Sequence, residues 1–461
     1  MRRAAARLPG ATLGVNLFVP FAAAVAVAGG ALFAYTAFRY DVLALPALVA
    51  FGGLVVATAH RPEIGVAAAY VLVPLGNVQL YGVTPWWPVT AWAAFLLVTC
   101  GWFAFARVSP PASFPVLAAP LAVYLMATVF AFAVAAGAET ARAPLRSLVT
   151  GILLFTATVF AIRDRRQLSW VLAGVAGGAL LAGAYALYQS VTGFSASEGF
   201  VTESGAIVHR VTAGFAHPNA LGGFLVQLVP FVVAGLLLSR RARPFYAVAL
   251  ALALVGLYLS FSRSAVLALV LVPFFFVGGR RMLVVAPLVA LLVVFATPNL
   301  SRERFATLTQ SGAEFTTRSE IWRTAGNLWS EHAVVGVGLG QFPDAYSEAR
   351  IPGKEFLPNT ALQAPPHAHN VFLQSLSEQG IIGTLALVIV LAVAIRTALR
   401  LRRLEDRTLS MIGSAGLASL TAFLIHNQFD VTPLEGTGIY FWALLGFLSA
   451  AAGIAKGREH G

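Results

Sequence analysis

Residues 365–383 read Pro-Pro-His-Ala-His-Asn-Val-Phe-Leu-Gln-Ser-Leu-Ser-Glu-Gln-Gly-Ile-Ile-Gly, and at this stretch a long polar segment meets an apolar run of membrane length. Two histidines, His367 and His369, lie at that boundary. Ionisable groups next to lipid are costly and usually mark functional sites. The stretch therefore predicts a membrane-spanning fold with a functional site where the polar segment enters the membrane.

The composition agrees with a membrane protein. Hydrophobic residues make up 58% of the chain and charged residues only 11%, whereas a soluble domain carries about 25% charged residues. The net charge of +12 comes almost entirely from arginine, and the positive-inside rule explains such an excess without nucleic-acid binding. Cys100 is the only cysteine, so an internal disulfide is excluded. Arg2, Arg3 and Arg7 precede an apolar run that we interpret as a first anchor rather than a cleaved signal peptide.

Fourteen apolar runs are long enough to be considered as membrane helices, for which about 20 residues are needed. Prolines interrupt several of them, and some could be merged, so we expect twelve to fourteen spans in an all-α polytopic membrane protein. The runs are 15–38, 42–59, 64–81, 86–106, 114–135, 144–162, 168–191, 218–239, 244–260, 263–278, 282–297, 370–396, 408–428 and 437–454.

The distribution of arginine and lysine predicts the orientation. With a cytoplasmic N-terminus, the short loops place twenty positive residues inside and five outside, and six more lie in the long segment 298–369. Charge in long loops has little effect on topology, so both termini are expected in the cytoplasm. Four regions follow: an N-terminal bundle (1–191), central helices with outer arginine motifs (192–297), a long outer loop (298–369) and C-terminal helices (370–461).

The long loop is expected to carry function, because connections of about 70 residues are uncommon in compact proteins. Within it, residues 318–329 form the pattern of an amphipathic helix that lies on the membrane or covers the site. The sequence Gly336-Val-Gly-Leu-Gly340 lacks the spacing of a dinucleotide-binding motif, and we interpret it as a turn. The apolar face of the amphipathic segment consists of Ile321, Trp322, Ala325, Leu328 and Trp329.

Two arginines on the predicted outer side, Arg210 and Arg263, do not serve as inside anchors. The neighbouring Pro218 and Asn219 are typical of a helix start, and Arg263 alone could reach the interface by snorkelling. Two guanidinium groups on one side of the membrane nevertheless suit a diphosphate, since each can make bidentate, charge-assisted hydrogen bonds. The pair therefore indicates a diphosphate-binding site.

His369 is the candidate general base, because a neutral imidazole can accept a proton from a hydroxyl group near neutral pH. For His367 a helix cap or a buried hydrogen bond is the better interpretation. A histidine pair two residues apart, without a nearby cluster of thiolates or carboxylates, gives weak support for a metal site, so no metal is expected. Glu378 and Asp430 could orient a base or bind a sugar, or could be solvated helix ends.

The chain resembles the O-antigen ligase superfamily over roughly residues 210–430. The resemblance depends on Arg210-x-x-x-Gly214-Phe215-x-x-Pro218-Asn219, on Ser262-Arg263, and on the loop elements Arg318, Trp322 and Gly336 to Phe342. The most specific element is the signature His, Asn/Ser/Gln, nine residues, Gly, two residues, Gly/Thr/Tyr. Here it is represented by His369, Asn370, Gly380 and Gly383.

The resemblance implies a GT-C-like bacterial enzyme of the cytoplasmic (inner) membrane, with its active site on the periplasmic side. Such enzymes transfer a glycan from undecaprenyl diphosphate to an acceptor hydroxyl, with inversion and without a metal or another cofactor. Carried over, Arg210 and Arg263 would bind the diphosphate and His369 would be the base. The candidate supporting residues are His367, Asn370, Arg318, Glu378 and Asp430.

Several functions stay open at this point. Ligation to lipid A-core is the leading interpretation, and the partners are then the lipid-linked donor, the hydroxyl acceptor and membrane lipid, without nucleic acid. A polysaccharide polymerase or a protein O-oligosaccharyltransferase would use the same chemistry. A transporter or flippase would show paired ionisable groups near mid-membrane, whereas here these groups gather at one side. A non-catalytic scaffold would tolerate replacement of His369 and both arginines.

Overall fold

The computed structural model describes residues 44–72, 96, 115–193, 198–201, 207–277, 312–349, 367–431 and 438–459. The helices in these ranges are numbered here in chain order. The first five are α1 (Ala44–His60), α2 (Pro62–Leu72), α3 (Ala118–Ala133), α4 (Ala138–Ala161) and α5 (Arg165–Thr192). Next come α6 (Pro218–Leu238), α7 (Arg243–Leu259) and α8 (Arg263–Leu271), which a 3₁₀ turn (Val272–Phe275) extends. The last are α9 (Gly312–Glu331), α10 (Phe342–Glu348), α11 (Val371–Arg402), α12 (Arg407–His426) and α13 (Gly438–Glu459).

The protein is an all-α multi-pass membrane protein, as its sequence predicts. Six of the described helices, α4, α5, α6, α11, α12 and α13, are long and apolar enough to cross a membrane, and α3, α7 and the α8 region are shorter apolar helices. The helices match ten of the fourteen predicted spans to within a few residues, and the predicted run 64–81 is described only as far as Leu72. Apart from Leu96, the predicted runs 15–38, 86–106 and 282–297 lie outside the described residues.

One strand pair supplements the helices. Strand β1 (Glu198–Val201) pairs antiparallel with β2 (Ile207–Arg210), with Glu198 opposite Arg210 and Val201 opposite Ile207. The hairpin lies in the segment between α5 and α6, which the sequence analysis treats only as a loop. Arg210 is the last residue of β2, eight positions before α6 begins at Pro218.

The core of the bundle is assembled around α6. Sixteen residues of this helix are buried, and α6 packs against α5, α7, α8 and α12. Small residues allow the close approach of backbones that membrane helices need in the absence of a hydrophobic driving force. At Gly183 of α5, for example, a Cβ atom would lie 2.2 Å from the carbonyl oxygen of Leu252 in α7.

The two ends of the bundle differ in charge. At one end, arginines in the connections between helices bind neighbouring elements. The side chain of Arg165 pairs with Asp406, and Arg407 Nη2 donates to the Leu237 carbonyl at 3.1 Å. At the other end, α5, α7 and α12 finish where α6, α8 and α11 begin. We call this second end the histidine end, because His217, His367, His369 and His426 lie there.

The long loop is anchored to the histidine end by the turn that contains Gly336, Gly338 and Gly340. All three glycines have positive φ, as the predicted turn requires. Leu339 N–H donates to the Ala131 carbonyl at 3.0 Å, and the Gln341 amide nitrogen donates to the Thr140 hydroxyl at 2.6 Å. The turn therefore connects the loop to α3 and α4 in the N-terminal bundle.

Helix α11 is interrupted at Gly380, the first glycine of the signature. Its φ of 63° and ψ of −163° are not helical, and a Cβ atom there would lie 2.3 Å from the Val334 carbonyl oxygen. Because the break removes helical acceptors, Ile381 N–H donates instead to the Ala333 carbonyl at 2.9 Å. The loop segment thus completes the hydrogen bonding of the interrupted helix.

The amphipathic helix predicted at residues 318–329 is confirmed within α9. Ile321, Ala325 and Leu328 are buried in a separate apolar cluster with Phe342, Tyr346 and Ala368. Helix α9 packs against α10 and α11, so it covers the histidine end. The division of the chain into four regions stays a prediction.

Candidate active site

Arg210 is buried in the segment that leads into α6. Arg210 Nε donates to the Ser260 carbonyl at 3.0 Å, and Arg210 Nη2 donates to Asn219 Oδ1 at 2.8 Å. The side-chain oxygen of Gln189 in α5 accepts hydrogen bonds from the backbone N–H groups of Thr212 and Ala213. Arg210 thus joins the start of α6 to the turn between α7 and α8, a structural role that the sequence analysis did not assign to it.

Arg263 is the first residue of α8 and is half-buried. The preceding turn is held by side chains: Ser260 Oγ donates to the Leu257 carbonyl at 2.7 Å and accepts from Ser262 N–H at 3.2 Å. A Cβ atom on Gly222 of α6 would lie 2.7 Å from the Ser262 Cβ atom. The glycine therefore lets the turn that carries Arg263 pack directly on α6, three residues from the carbonyl to which Arg210 is bound.

His369 occupies a left-handed turn just before α11, with φ of 50°. Its backbone N–H donates to His367 Nδ1 at 3.3 Å. Asn370 is the N-cap of α11, and its Oδ1 accepts from the N–H groups of Phe372 and Leu373 at 3.0 and 3.1 Å. The Asn370 amide nitrogen donates to Gln428 Oε1 at 3.1 Å, which ties the turn to the end of α12.

Asp430 is the centre of a buried cluster of imidazole rings. Its Oδ1 lies 3.8 Å from His367 Nε2 and its Oδ2 lies 3.6 Å from His426 Nε2. Candidate ligand atoms of His217, His367 and Asp430 all lie within 4.8 Å of one another. The rings of His367 and His369 meet edge to face at 4.3 Å between centroids. The carboxylate therefore faces three histidines and lies one ring away from the candidate base.

Hydrogen bonds at Nδ1 determine how these rings meet Asp430. His217 Nδ1 accepts from Ala220 N–H at 3.2 Å, and His367 Nδ1 accepts from His369 N–H at 3.3 Å. In a neutral imidazole the nitrogen that does not accept carries the proton, so the Nε2 atom of each ring carries a hydrogen, and His367 Nε2 lies 3.8 Å from Asp430 Oδ1. A metal would need an unprotonated Nε2 and usually an Nδ1–H that donates to a second-shell acceptor. In this tautomer the Nε2 atoms of His217 and His367 are not available as metal ligands.

The pKa values of both His369 and Asp430 lie below their usual ranges. Burial lowers the pKa of His369 to about 4, and the charges of His367, Arg318 and His217 act in the same direction while Asp430 opposes them. Burial acts to raise the pKa of Asp430, but His426, His217 and His367 outweigh it and hold that pKa below its usual range. At neutral pH His369 is therefore neutral and Asp430 is ionised.

The remaining predicted residues occupy two different positions. Arg318 on α9 lies near His369, with its guanidinium carbon 5.9 Å from the ring centroid of Phe429. Glu378 is buried in the first part of α11, where its Oε1 accepts from Phe342 N–H at 3.1 Å. The possibility that Glu378 or Asp430 is a solvated helix end is wrong, because both side chains are almost fully buried. Glu378 attaches the loop to α11 rather than facing His369.

Two site residues were missed from the sequence. His217 is the N-cap of α6, and the sequence analysis assigned the start of that helix to Pro218 and Asn219. His426 lies at the last position of α12, four residues before Asp430. A histidine followed at i+4 by an aspartate, where an apolar run ends, was the available signal for this pair.

Backbone strain gathers in the same three segments. Among the described residues, the only non-glycine positions with positive φ are Ala213, Phe261 and His369, at 46°, 50° and 50°. Ala213 lies three residues after Arg210, Phe261 lies two residues before Arg263, and His369 is the predicted base itself. Such conformations cost about 1–3 kcal/mol each and persist where surrounding contacts enforce them, most often at functional sites. The three sequence motifs are thus three strained turns at one end of the bundle.

Comparison with known proteins gives one family match. Residues 248–388 match the family model Wzy_C, described as O-antigen ligase. The matched part contains Arg263, the long loop, His367, His369 and the signature glycines Gly380 and Gly383. A search of curated proteins found no match. The resemblance to the O-antigen ligase superfamily that the sequence motifs indicated is confirmed.

Proposed function

We propose that this protein with an O-antigen ligase domain transfers a glycan from undecaprenyl diphosphate to an acceptor hydroxyl, most specifically as a ligase onto lipid A-core. The domain match supports a membrane glycosyltransferase of the O-antigen ligase and polymerase type. The observation that carries the proposal is the coincidence of the three strained turns with Arg210, Arg263 and His369 at one end of the bundle.

His369 is proposed as the general base. A neutral ring can accept the proton of the acceptor hydroxyl as oxygen attacks the anomeric carbon of the donor sugar. The bond from that carbon to the diphosphate oxygen breaks, and the diphosphate leaves with the electron pair. Attack on the side opposite the leaving group gives inversion. The His369 ring is only partly buried; its Nδ1 is enclosed without a hydrogen-bond partner among the described residues, so the accessible part of the ring is the part an acceptor hydroxyl can approach.

Arg263 is proposed as the main cation for the diphosphate leaving group, with Arg210 in a second role. Positioned cations stabilise charge as it develops on a leaving phosphate. Since Arg210 already donates to Ser260 and Asn219, part of its contribution is to hold the turn that presents Arg263. The proposed reaction has no metal step, because the rings of His217 and His367 accept at Nδ1 and so carry their hydrogens on Nε2.

The test is a transfer assay with purified protein, a polyprenyl-diphosphate glycan and a panel of acceptors in the presence of EDTA. We expect His369→Ala to lower kcat by about 10²- to 10⁴-fold, the contribution of a positioned base. Arg263→Ala is the cleaner arginine variant, since Arg210→Ala would also break two structural hydrogen bonds. The matched controls are His332→Ala and Arg323→Ala, which replace exposed residues of the same types.

The outcomes separate the candidate functions. Transfer to lipid A-core identifies a ligase, growth of the lipid-linked glycan identifies a polymerase, and transfer to a polypeptide hydroxyl identifies a protein glycosyltransferase. Full activity in His369→Ala would refute the proposed base. Glycan movement across a proteoliposome membrane without any transfer would overturn the enzyme in favour of the transporter. The product stereochemistry tests inversion directly.

A further inference from the structure

His426 is fully buried where three helices meet at the histidine end. Its Nδ1 lies 3.0 Å from Ser264 Oγ in α8, and its Nε2 lies 3.6 Å from Asp430 Oδ2 beyond α12. On the α6 side, a Cβ atom at Gly223 would lie 2.6 Å from His426 Nε2. The ring therefore fills a space that a glycine leaves open, and it contacts the first turn of the helix that begins with Arg263.

The contacts of His426 extend in both directions. Toward Arg263, Ser264 Oγ lies 3.4 Å from Ser262 Oγ. Toward the base, Asp430 Oδ1 lies 3.8 Å from His367 Nε2, and His367 Nδ1 accepts from the His369 backbone N–H. Adjacent polar groups thus connect the turn before α8 with the turn before α11. Every side chain between Ser264 and His369 in this series is buried.

Buried ionisable groups are an expensive way to fill a core. An apolar side chain of similar volume would avoid the desolvation cost of an imidazole beside a carboxylate. Here the His426 ring is held at Nδ1 by the contact with Ser264, while Nε2 faces the Asp430 carboxylate at 3.6 Å without a hydrogen bond. Electrostatic attraction in a low-dielectric interior and close packing, rather than a continuous chain of hydrogen bonds, therefore restrict these groups to one arrangement. Both turns contain a strained residue, Phe261 in one and His369 in the other, and strained turns need external contacts to persist.

We propose that His426 is a positioning residue that fixes the turn carrying Arg263 relative to the turn carrying His369. Because its ring is inaccessible, it acts through Ser264 and Asp430 and does not touch substrate. The catalytic part of this role rests on the proposed function. The physical coupling of the two turns can be measured without turnover.

Ser264→Ala tests the coupling with the smallest change. The variant removes the hydroxyl that faces His426 and leaves Arg263, His369 and Asp430 in place. Gly223→Ala provides an independent test, since its methyl group would displace the ring without removing any polar atom. The matched controls are Ser169→Ala, in the exposed first turn of α5, and Gly453→Ala, where a Cβ atom meets nothing within 4 Å.

Hydrogen exchange of the full-length protein in nanodiscs is the first measurement. In Ser264→Ala and Gly223→Ala we expect faster exchange both in residues 259–264 and in residues 367–370, with wild-type rates in the two controls. Faster exchange only in residues 259–264 would overturn the coupling. Faster exchange throughout the bundle would show a general loss of stability and would also overturn it.

Transfer kinetics then test the catalytic meaning. We expect kcat/KM to fall by about 10- to 100-fold in Ser264→Ala, because small displacements of reacting groups have effects of this size, with a raised KM for the donor. Ser264→Thr keeps the hydroxyl and should restore most of the loss. Wild-type kinetics in Ser264→Ala would refute the positioning role. Absence of transfer by the wild-type protein would refute the proposed function alone, since the exchange data still decide the coupling.

Discussion

The pH dependence of transfer offers a quantitative test of the environment of His369. Its pKa of about 4 is well below the usual value of 6.5. At pH 5.5 a base with the lower value is about 97% neutral, whereas an ordinary histidine would be about 9% neutral. If His369 is the base, kcat/KM at pH 5.5 should therefore stay close to its value at pH 7.5.

The dependence of kcat should differ from that of kcat/KM. The acid limb of kcat/KM reports groups in the free enzyme, and the limb of kcat reports the same groups with substrate bound. A bound diphosphate brings negative charge near the imidazole and favours its protonated form. We expect the acid limb of kcat at a higher pH than that of kcat/KM, which no change in stability alone would produce.

The assay is initial-rate transfer in nanodiscs between pH 4.5 and pH 8, with tryptophan fluorescence at each pH to follow folding. Stability has its own sign: between about pH 6.5 and pH 4 the unfolded chain binds the His369 proton and the folded chain does not, so this residue lowers stability as the pH falls through that window. A tenfold fall in kcat/KM at pH 5.5 with the protein still folded would refute the low pKa of the base.

Substitutions at three positions test the structural reasoning. Gly380→Ala should lower the free energy of unfolding by about 1–3 kcal/mol or more, because essentially only glycine adopts its backbone conformation. Thermal unfolding against Gly453→Ala measures the change, and an unchanged value would contradict the interrupted helix. Asn370→Ala should cost about 1–2 kcal/mol through the lost cap, and Asn370→Asp, which keeps the accepting oxygen, should cost clearly less in the same assay. Asp430→Asn should lower kcat by up to about 10²-fold, because the buried His367 ring loses the negative charge beside it and a displaced turn would misplace His369. Wild-type kcat would exclude Asp430 from the site.

Much of the fold follows from simple sequence signals. Apolar runs of membrane length predicted α6 and α12 to within a few residues. The periodicity of residues 318–329 predicted the buried face of α9, and glycine spacing predicted the turn at Gly336. These elements depend on local composition or on backbone conformations that few residue types accept, so a single sequence contains enough information to place them.

The architecture of the site was less predictable because it depends on contacts between distant segments. Arg210 stood out as a charge without an anchoring role, but its bonds to Ser260 and Asn219 depend on the packing of α6 against the α7–α8 turn. His426 contacts Ser264 across 162 positions. Positive φ at Phe261 and His369 leaves no residue-type signal, since neither is a glycine.

The crowding of left-handed turns at the histidine end has a practical consequence for engineering this protein. Ala213→Gly and Phe261→Gly would relieve backbone conformations that are unfavourable for residues with a Cβ atom, although each glycine also adds freedom to the unfolded chain. Both lie beside Arg210 or Arg263, however, and added backbone freedom there would loosen the positions of the arginines that are proposed to bind the diphosphate. Stabilising substitutions are better sought at the opposite end of the bundle, near Arg165 and Arg407, away from the residues proposed for catalysis.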